Sequence, residues 1–217
     1  MKKTIFILSF LSLLAFSACH KDEETLPEDS LPVIIENYLP LTVGNYWIYE
    51  EFQIDTNGTA TDLGKIDSCY IEKDTLINNK TYFKYCRVAP GYGSSIKFIR
   101  DSSHYIVNSN GIILFSSVDF SSILHTYYTI IPVSDTVSVN TSKMTDKDVE
   151  ITTPYGTFTT YNYKTTCAIT PAFASNGNER YWNTRYANNV GIVAETIATY
   201  LSTPVFTERR LVRYHLN

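Results

Sequence analysis

Residues able to do chemistry are scattered through this 217-residue chain, and their spacing excludes more than it supports. His104, His125 and His215 stand far apart, without the clustered Cys and His that a zinc site needs, and there is no HExxH segment. No serine sits between glycines in a nucleophile elbow. Glu150, Glu179, Glu195 and Glu208 could supply a carboxylate pair for glycoside hydrolysis. That chemistry needs the pair roughly 5–10 Å apart, a separation linear order does not specify. No catalytic residue, metal ligand or cofactor is assigned. Trp182 and Tyr186 are the candidate ligand-binding side chains, because aromatic faces suit apolar ligands and the apolar faces of sugar rings. Trp47, in a strand-opening segment, reads as core.

The fourth kind of chemistry lies at the N-terminus. Lys2 and Lys3 precede a largely apolar run, Ile5–Phe16, which leads into Ser17-Ala18-Cys19. A positive start, a short apolar stretch and small residues before a cut point predict a signal peptide over 1–18. The run is too short for a membrane-spanning helix, which needs about 20 residues. The segment resembles the lipobox of bacterial lipoproteins, with Phe16 where most such boxes carry leucine. The resemblance implies that Cys19 takes a thioether-linked diacylglycerol and further acyl chains such as palmitate. Each buried methylene contributes about 0.8 kcal/mol, so two or three chains hold firmly where one is marginal. His20-Lys21-Asp22-Glu23-Glu24 resembles the export signal of surface lipoproteins in the Bacteroidota. It implies an outer-membrane anchor facing the cell exterior, with a periplasm-facing anchor as the alternative. Asp29-Ser30-Leu31 resembles the O-glycosylation acceptor of the same phylum, which makes Ser30 a candidate.

Cutting before Cys19 would leave 199 residues and move the formal charge from -4 to -6. Residues 19–37, with their acidic start and Pro27 and Pro32, read as a tether. Residues 38–217 are enough for one domain with a full core. No basic patch suggests nucleic acid, and the oligomeric state is not legible. The 17 tyrosines, the many threonines and the lack of a long 3.6-residue period predict sheet.

The turns are easier to place than the faces. Alternation from Tyr46 runs to the hairpin signal Asn57-Gly58. Strands follow at about Lys65–Asp74 and Thr81–Ala89, around Asn78-Asn79. With those two residues as the turn, Cys69 and Cys86 become diagonal neighbours; with the turn one position earlier they stand directly opposite. They are the candidate disulfide, which an oxidising envelope permits. Further strands are read at Ile96–Arg100, His104–Ser109 and Ile112–Ser116, the last apolar enough for a central strand. Asp119 is read as the cap of a short helix over Phe120–His125. Asp148–Thr153 and Thr157–Ile169 form the clearest hairpin, with one face packed and one wet, before strands at Arg180–Ala187, Gly191–Thr199 and Phe206–Leu216. Nine to eleven strands with tight turns predict an all-β, nearly all antiparallel fold.

Tyr38–Glu51 (YLPLTVGNYWIYEE), Thr153–Phe158 (TPYGTF) and Tyr186–Glu195 (YANNVGIVAE), in that order, resemble a loosely defined set of uncharacterised Bacteroidota lipoproteins. The resemblance implies a strongly curved antiparallel sheet, an open half-barrel of the kind seen in periplasmic lipoprotein carriers. A closed lipocalin-like barrel is the neighbouring alternative. It carries no activity over to any residue. The resulting expectation is a membrane-anchored binding module for an apolar ligand or an envelope partner. A surface glycan-binding protein is the first alternative, and a hydrolase using a carboxylate pair is the second.

Overall fold

A computed structural model describes residues 36–91, 93–130, 136–174, 177–197 and 205–217. Cys19 and Ser30 lie outside them. Residues Glu36–Asn217 make one compact unit. Its strands are β1 (Tyr46–Ile54), β2 (Ala60–Ile77), β3 (Lys80–Ala89), β4 (Gly93–Ser102), β5 (Tyr105–Asn108) and β6 (Ile113–Ser116), then β7 (His125–Ile130), β8 (Thr136–Thr152), β9 (Thr157–Ile169), β10 (Glu179–Ala187), β11 (Gly191–Ile197) and β12 (Phe206–His215).

All twelve belong to one sheet in the order β6-β5-β4-β3-β2-β1-β12-β11-β10-β9-β8-β7. Every ladder is antiparallel. The order is a meander whose two ends are joined through β1 and β12. Among the described residues only the step from β6 to β7 is unpaired. The fold is therefore a strongly curved, nearly closed barrel with one unsealed seam, the open architecture expected from the sequence, with one more strand than its upper count.

Side chains span the gap that backbone pairing leaves. The Tyr163 hydroxyl on β9 donates to the carbonyl of Ile113 at 3.0 Å, and that of Tyr186 on β10 donates to Leu114 at 3.2 Å. Both acceptors are on β6. That strand is an edge, not the central strand its apolar run suggests. Four apolar residues in a row are compatible with either place, and here tyrosines from the opposite wall cover it. The predicted helix over Phe120–His125 does not form. Asp119 instead accepts from the backbone N–H groups of Ser121 and Ser122 at 3.0 and 2.9 Å, a local turn that satisfies the donors without helix. Those bonds hold its carboxyl low, at about 2.

Bulges set both curvature and facing. Between Ile71 and Lys73 the β2–β3 register shifts by one. The turn is Asn78-Asn79, as the first reading had it, but beyond the bulge Cys69 pairs with Arg87 and Cys86 with Tyr70. The two thiols therefore lie on opposite faces. Both are free, which corrects the expected disulfide. A one-residue shift exchanges the faces of everything that follows.

The core is aromatic. Tyr38 stacks on Tyr161 at 4.8 Å between centroids and lies 4.6 Å from Phe115, which in turn lies 4.7 Å from Tyr186. Trp47 is fully buried, as its strand-opening place predicts, and its indole donates to the Val190 carbonyl at 2.6 Å. Gly191 permits that approach: its φ is +108°, and a Cβ there would lie 3.1 Å from the Trp47 ring nitrogen. The N-terminal segment is tied in at the same turn. The Asn37 backbone N–H donates to Asn188 Oδ1 at 2.8 Å, and the Asn189 N–H donates to the Asn37 carbonyl at 2.7 Å.

The β8–β9 hairpin is less regular than its alternation implies. A register shift between Thr145 and Val149 folds residues over the face expected to be wet. Thr160 and Asn162 are buried there, Asn162 donating to Asp146 Oδ2 at 2.9 Å and Asn183 Oδ1 at 2.8 Å.

Candidate functional site

Curling the sheet sets β3–β6 against β7–β11, and the inward faces do not fill the space between them. A cavity of about 440 Å³ remains. Its walls derive from period-2 alternation on both sides. On one wall Trp182, Thr165, Ser142 and His125 form an unbroken cross-strand row over β10, β9, β8 and β7. The Ser142 and Thr165 hydroxyls share a 2.7 Å hydrogen bond at its centre. Farther along β10, Thr184 and Tyr186 lie on the same face. The opposite wall carries Tyr85 and Lys97, a cross-strand pair on β3 and β4, with Ile99 and Asn108 paired on β4 and β5. Leu39, Leu114 and Ile192 complete an apolar region next to the aromatic core. The lining is amphipathic: hydroxyl, amide, imidazole and charged groups share it with aromatic and branched aliphatic side chains. Both candidate ligand-binding residues, Trp182 and Tyr186, are part of it. Burial pushes the Tyr186 hydroxyl well above its ordinary range, so it acts as a neutral donor.

On the same inward side runs a row of charges, with Glu51, Asp67 and Arg209 buried and Glu195 and Arg87 half-buried. Arg209, 2% exposed, donates through Nε to Glu195 Oε2 at 2.8 Å and also ion-pairs with it through Nη2. Its Nη1 lies 3.2 Å from Asp67 Oδ1 and donates to the Cys69 sulfur at 3.2 Å. Arg87 holds the other Asp67 oxygen, through Nε at 2.7 Å. Burial raises the Glu195 carboxyl, but Arg209, Lys97 and Arg87 outweigh burial and leave it below its usual range. Glu51 is buried beside the same network, with Oε2 lacking a hydrogen-bond donor. Burial first, then Asp67, push its pKa up against the pull of Lys65, Arg87 and Arg209. Sequence reading missed this row. Its available signal was acid or base at inward positions: Glu51 after Tyr49, Asp67 before Cys69, Arg209 before Leu211.

The other candidates disperse. His104 is on the surface against Ser117, and His215 is exposed and stacks on Tyr46. Only His125 of the three lines the cavity. Strict alternation along β12 would put Arg209, Arg213 and His215 on one face. The bulge between Ile48 and Tyr49 separates them, with Arg209 inside and Arg213 exposed. Glu150 and Glu179 are exposed, and Glu208 pairs with Arg210 on the outer surface. Glu195 is the one carboxylate among the lining residues. Among the described residues no three His, Cys, Asp or Glu side chains gather as metal ligands.

No protein-family model matches the chain, and no curated protein does. Among solved structures it is similar to a protein described as exported, with a YmcC-like fold, from Bacteroides fragilis. They are 14% identical, with 82% of this chain and 98% of that one covered, at a TM-score of 0.44. It is likewise similar to a protein described as a lipoprotein from Parabacteroides distasonis, at 14% identity, with 83% and 99% covered and a TM-score of 0.44. Likeness of this degree carries no argument about what the chain does.

Proposed function

We propose that this chain is a lipid-anchored protein of the bacterial outer envelope whose barrel binds a small amphipathic molecule without transforming it. The observation that carries the binding reading is the cavity itself. At about 440 Å³ it falls in the range of small-ligand sites, and it joins an apolar end to a polar wall. The anchor rests on Cys19 and its flanking residues, and the exterior-facing orientation on the charges after it.

Two experiments test these halves separately. Organic extraction and native mass spectrometry of the purified protein should reveal a bound amphiphile that is lost in Leu114→Trp, where an indole enters the cavity from a half-buried edge position. An empty extract, with no saturable uptake of N-phenyl-1-naphthylamine, overturns the binding half. Alkyne-palmitate labelling should be abolished by Cys19→Ser, with the protein released to the soluble fraction. Incorporation unchanged in that variant overturns the anchor.

A second reading has its own support. Tyr155, 50% exposed at the β8–β9 turn, stacks on Phe158 with centroids 6.1 Å apart and rings 23° from parallel. To a glycan the pair offers one exposed ring, that of Tyr155, supported by a half-buried Phe158. Retention on a polysaccharide panel that Tyr155→Ala removes would favour it over the cavity.

A further inference from the structure

The charges around the cavity give it a sign. Apart from its tyrosines, the described lining residues include three titratable side chains, Lys97, His125 and Glu195. Glu195 is compensated, because Arg209, its cross-strand neighbour on β12, holds it with two donors. Among the described residues the Lys97 ammonium forms no close ion pair, and its charge acts on Glu195 only at longer range. A chain with a formal net charge of -4 thus faces its cavity with an ammonium that has no carboxylate in contact.

The position of that charge matters as much as its sign. Lys97 is solvent-exposed, whereas Ile99, two residues along the same inward face of β4, is 2% exposed. Tyr186 and Ile192 on the facing wall are also buried. The cavity therefore grades from an ammonium in contact with water to an apolar interior. An anionic head against Lys97 would keep part of its hydration and gain a charge-assisted hydrogen bond. The same head placed at the Ile99 end would be desolvated without a partner. A cationic head at Lys97 would meet like charge, and Glu195 already has its guanidinium.

We propose that the ligand is an organic anion with an apolar body, its carboxylate, sulfonate or phosphate seated against Lys97 and its body against Ile99, Leu114 and Tyr186. This rests on the reading that the cavity binds a ligand, so the test separates the two.

The probes are 8-anilinonaphthalene-1-sulfonate and N-phenyl-1-naphthylamine, which share a ring skeleton and differ in the sulfonate. They are titrated into the mature chain from residue 19 carrying Cys19→Ser, which lacks both the acyl chains and the apolar run of 1–18. The sulfonate dye should bind about tenfold tighter, the size of one hydrogen bond to a charged group. Lys97→Met should remove that preference, read as the ratio of the two affinities on the same variant, and Lys97→Arg should retain it. Equal affinities in the parent, or a preference that survives Lys97→Met, overturn the anion inference and leave cavity binding intact. Failure of both dyes to bind overturns the cavity reading and this inference together.

Discussion

The guanidinium of Arg209 lies 4.3 Å above the ring centroid of Tyr49, with both side chains enclosed by the barrel wall. The ring covers one face of the cation, while Glu195, Asp67 and the Cys69 sulfur take its edge. Tyr49 is itself fixed, its hydroxyl donating to the Ile192 carbonyl at 2.9 Å. One planar cation thus links β12 to β1, β2 and β11, a geometry that a fork of donors can satisfy and a point charge cannot.

Arg209→Met should therefore destabilise the domain by about 3 kcal/mol, because it takes the close partner from Glu195 and leaves the buried Asp67 with Arg87 alone. Arg209→Lys should recover only part of that loss. Adding Glu195→Gln to Arg209→Met should recover more, by removing one orphaned charge. Urea unfolding of the three variants measures this; Arg209→Met within 1 kcal/mol of the parent would contradict a cross-strand role.

Glu51 and Glu195 should tune stability with opposite signs. The folded-state pKa of Glu51 is raised, chiefly by burial, so its contribution becomes less favourable as pH rises from the ordinary carboxylate range through the raised value. That of Glu195 is lowered against burial by Arg209, so its contribution is present above the ordinary range and is lost as pH falls through the lowered value. Glu51→Gln should stabilise the protein at pH 7 by about 1 kcal/mol, the scale of an unsatisfied buried acceptor. The gain should fade near pH 4, where the parent acid is itself protonated. Thermal melts across pH 4–8 check it. A loss of stability at pH 7 would show that the charge of Glu51 supports the network.

The facing of Cys69 and Cys86 is open to direct test. No reductant should change the melting temperature, and alkylation after unfolding should label Cys69, Cys86 and Cys167 in full. In the folded protein Cys86 should react slowly, since burial and then Glu72 push its thiol up. Its Sγ donates to Glu72 Oε2 at 3.3 Å. A Cys69–Cys86 bridged peptide in a non-reducing digest would refute the register at the Ile71–Lys73 bulge.

The parts of the fold legible in the sequence were those with local causes. Asn57-Gly58, Asn78-Asn79 and Asn110-Gly111 end strands because those residues accept positive φ, as Asn78, Asn79, Gly58 and Gly111 do. Trp182 and Tyr186, four apart on one strand, were bound to share a face, and both line the cavity. Lys97 drew no notice, because a lysine in a strand is ordinarily solvated and nothing nearby in sequence marks the wall it joins. Arg209 and Arg213 do not share a face as alternation would have them do, because the bulge at Val212, three residues after Arg209, reverses it.

Composition and alternation by themselves determined an all-β chain of antiparallel hairpins, since strand period and turn chemistry are properties of a few adjacent residues. Which face turns inward, which thiols meet, and that β3–β6 stand opposite β7–β11 around an unfilled space were decided only by the tertiary structure. A bulge shifts facing by one residue with no reliable local signature, and a cavity exists only when residues some hundred positions apart are brought to the two sides of one curved sheet.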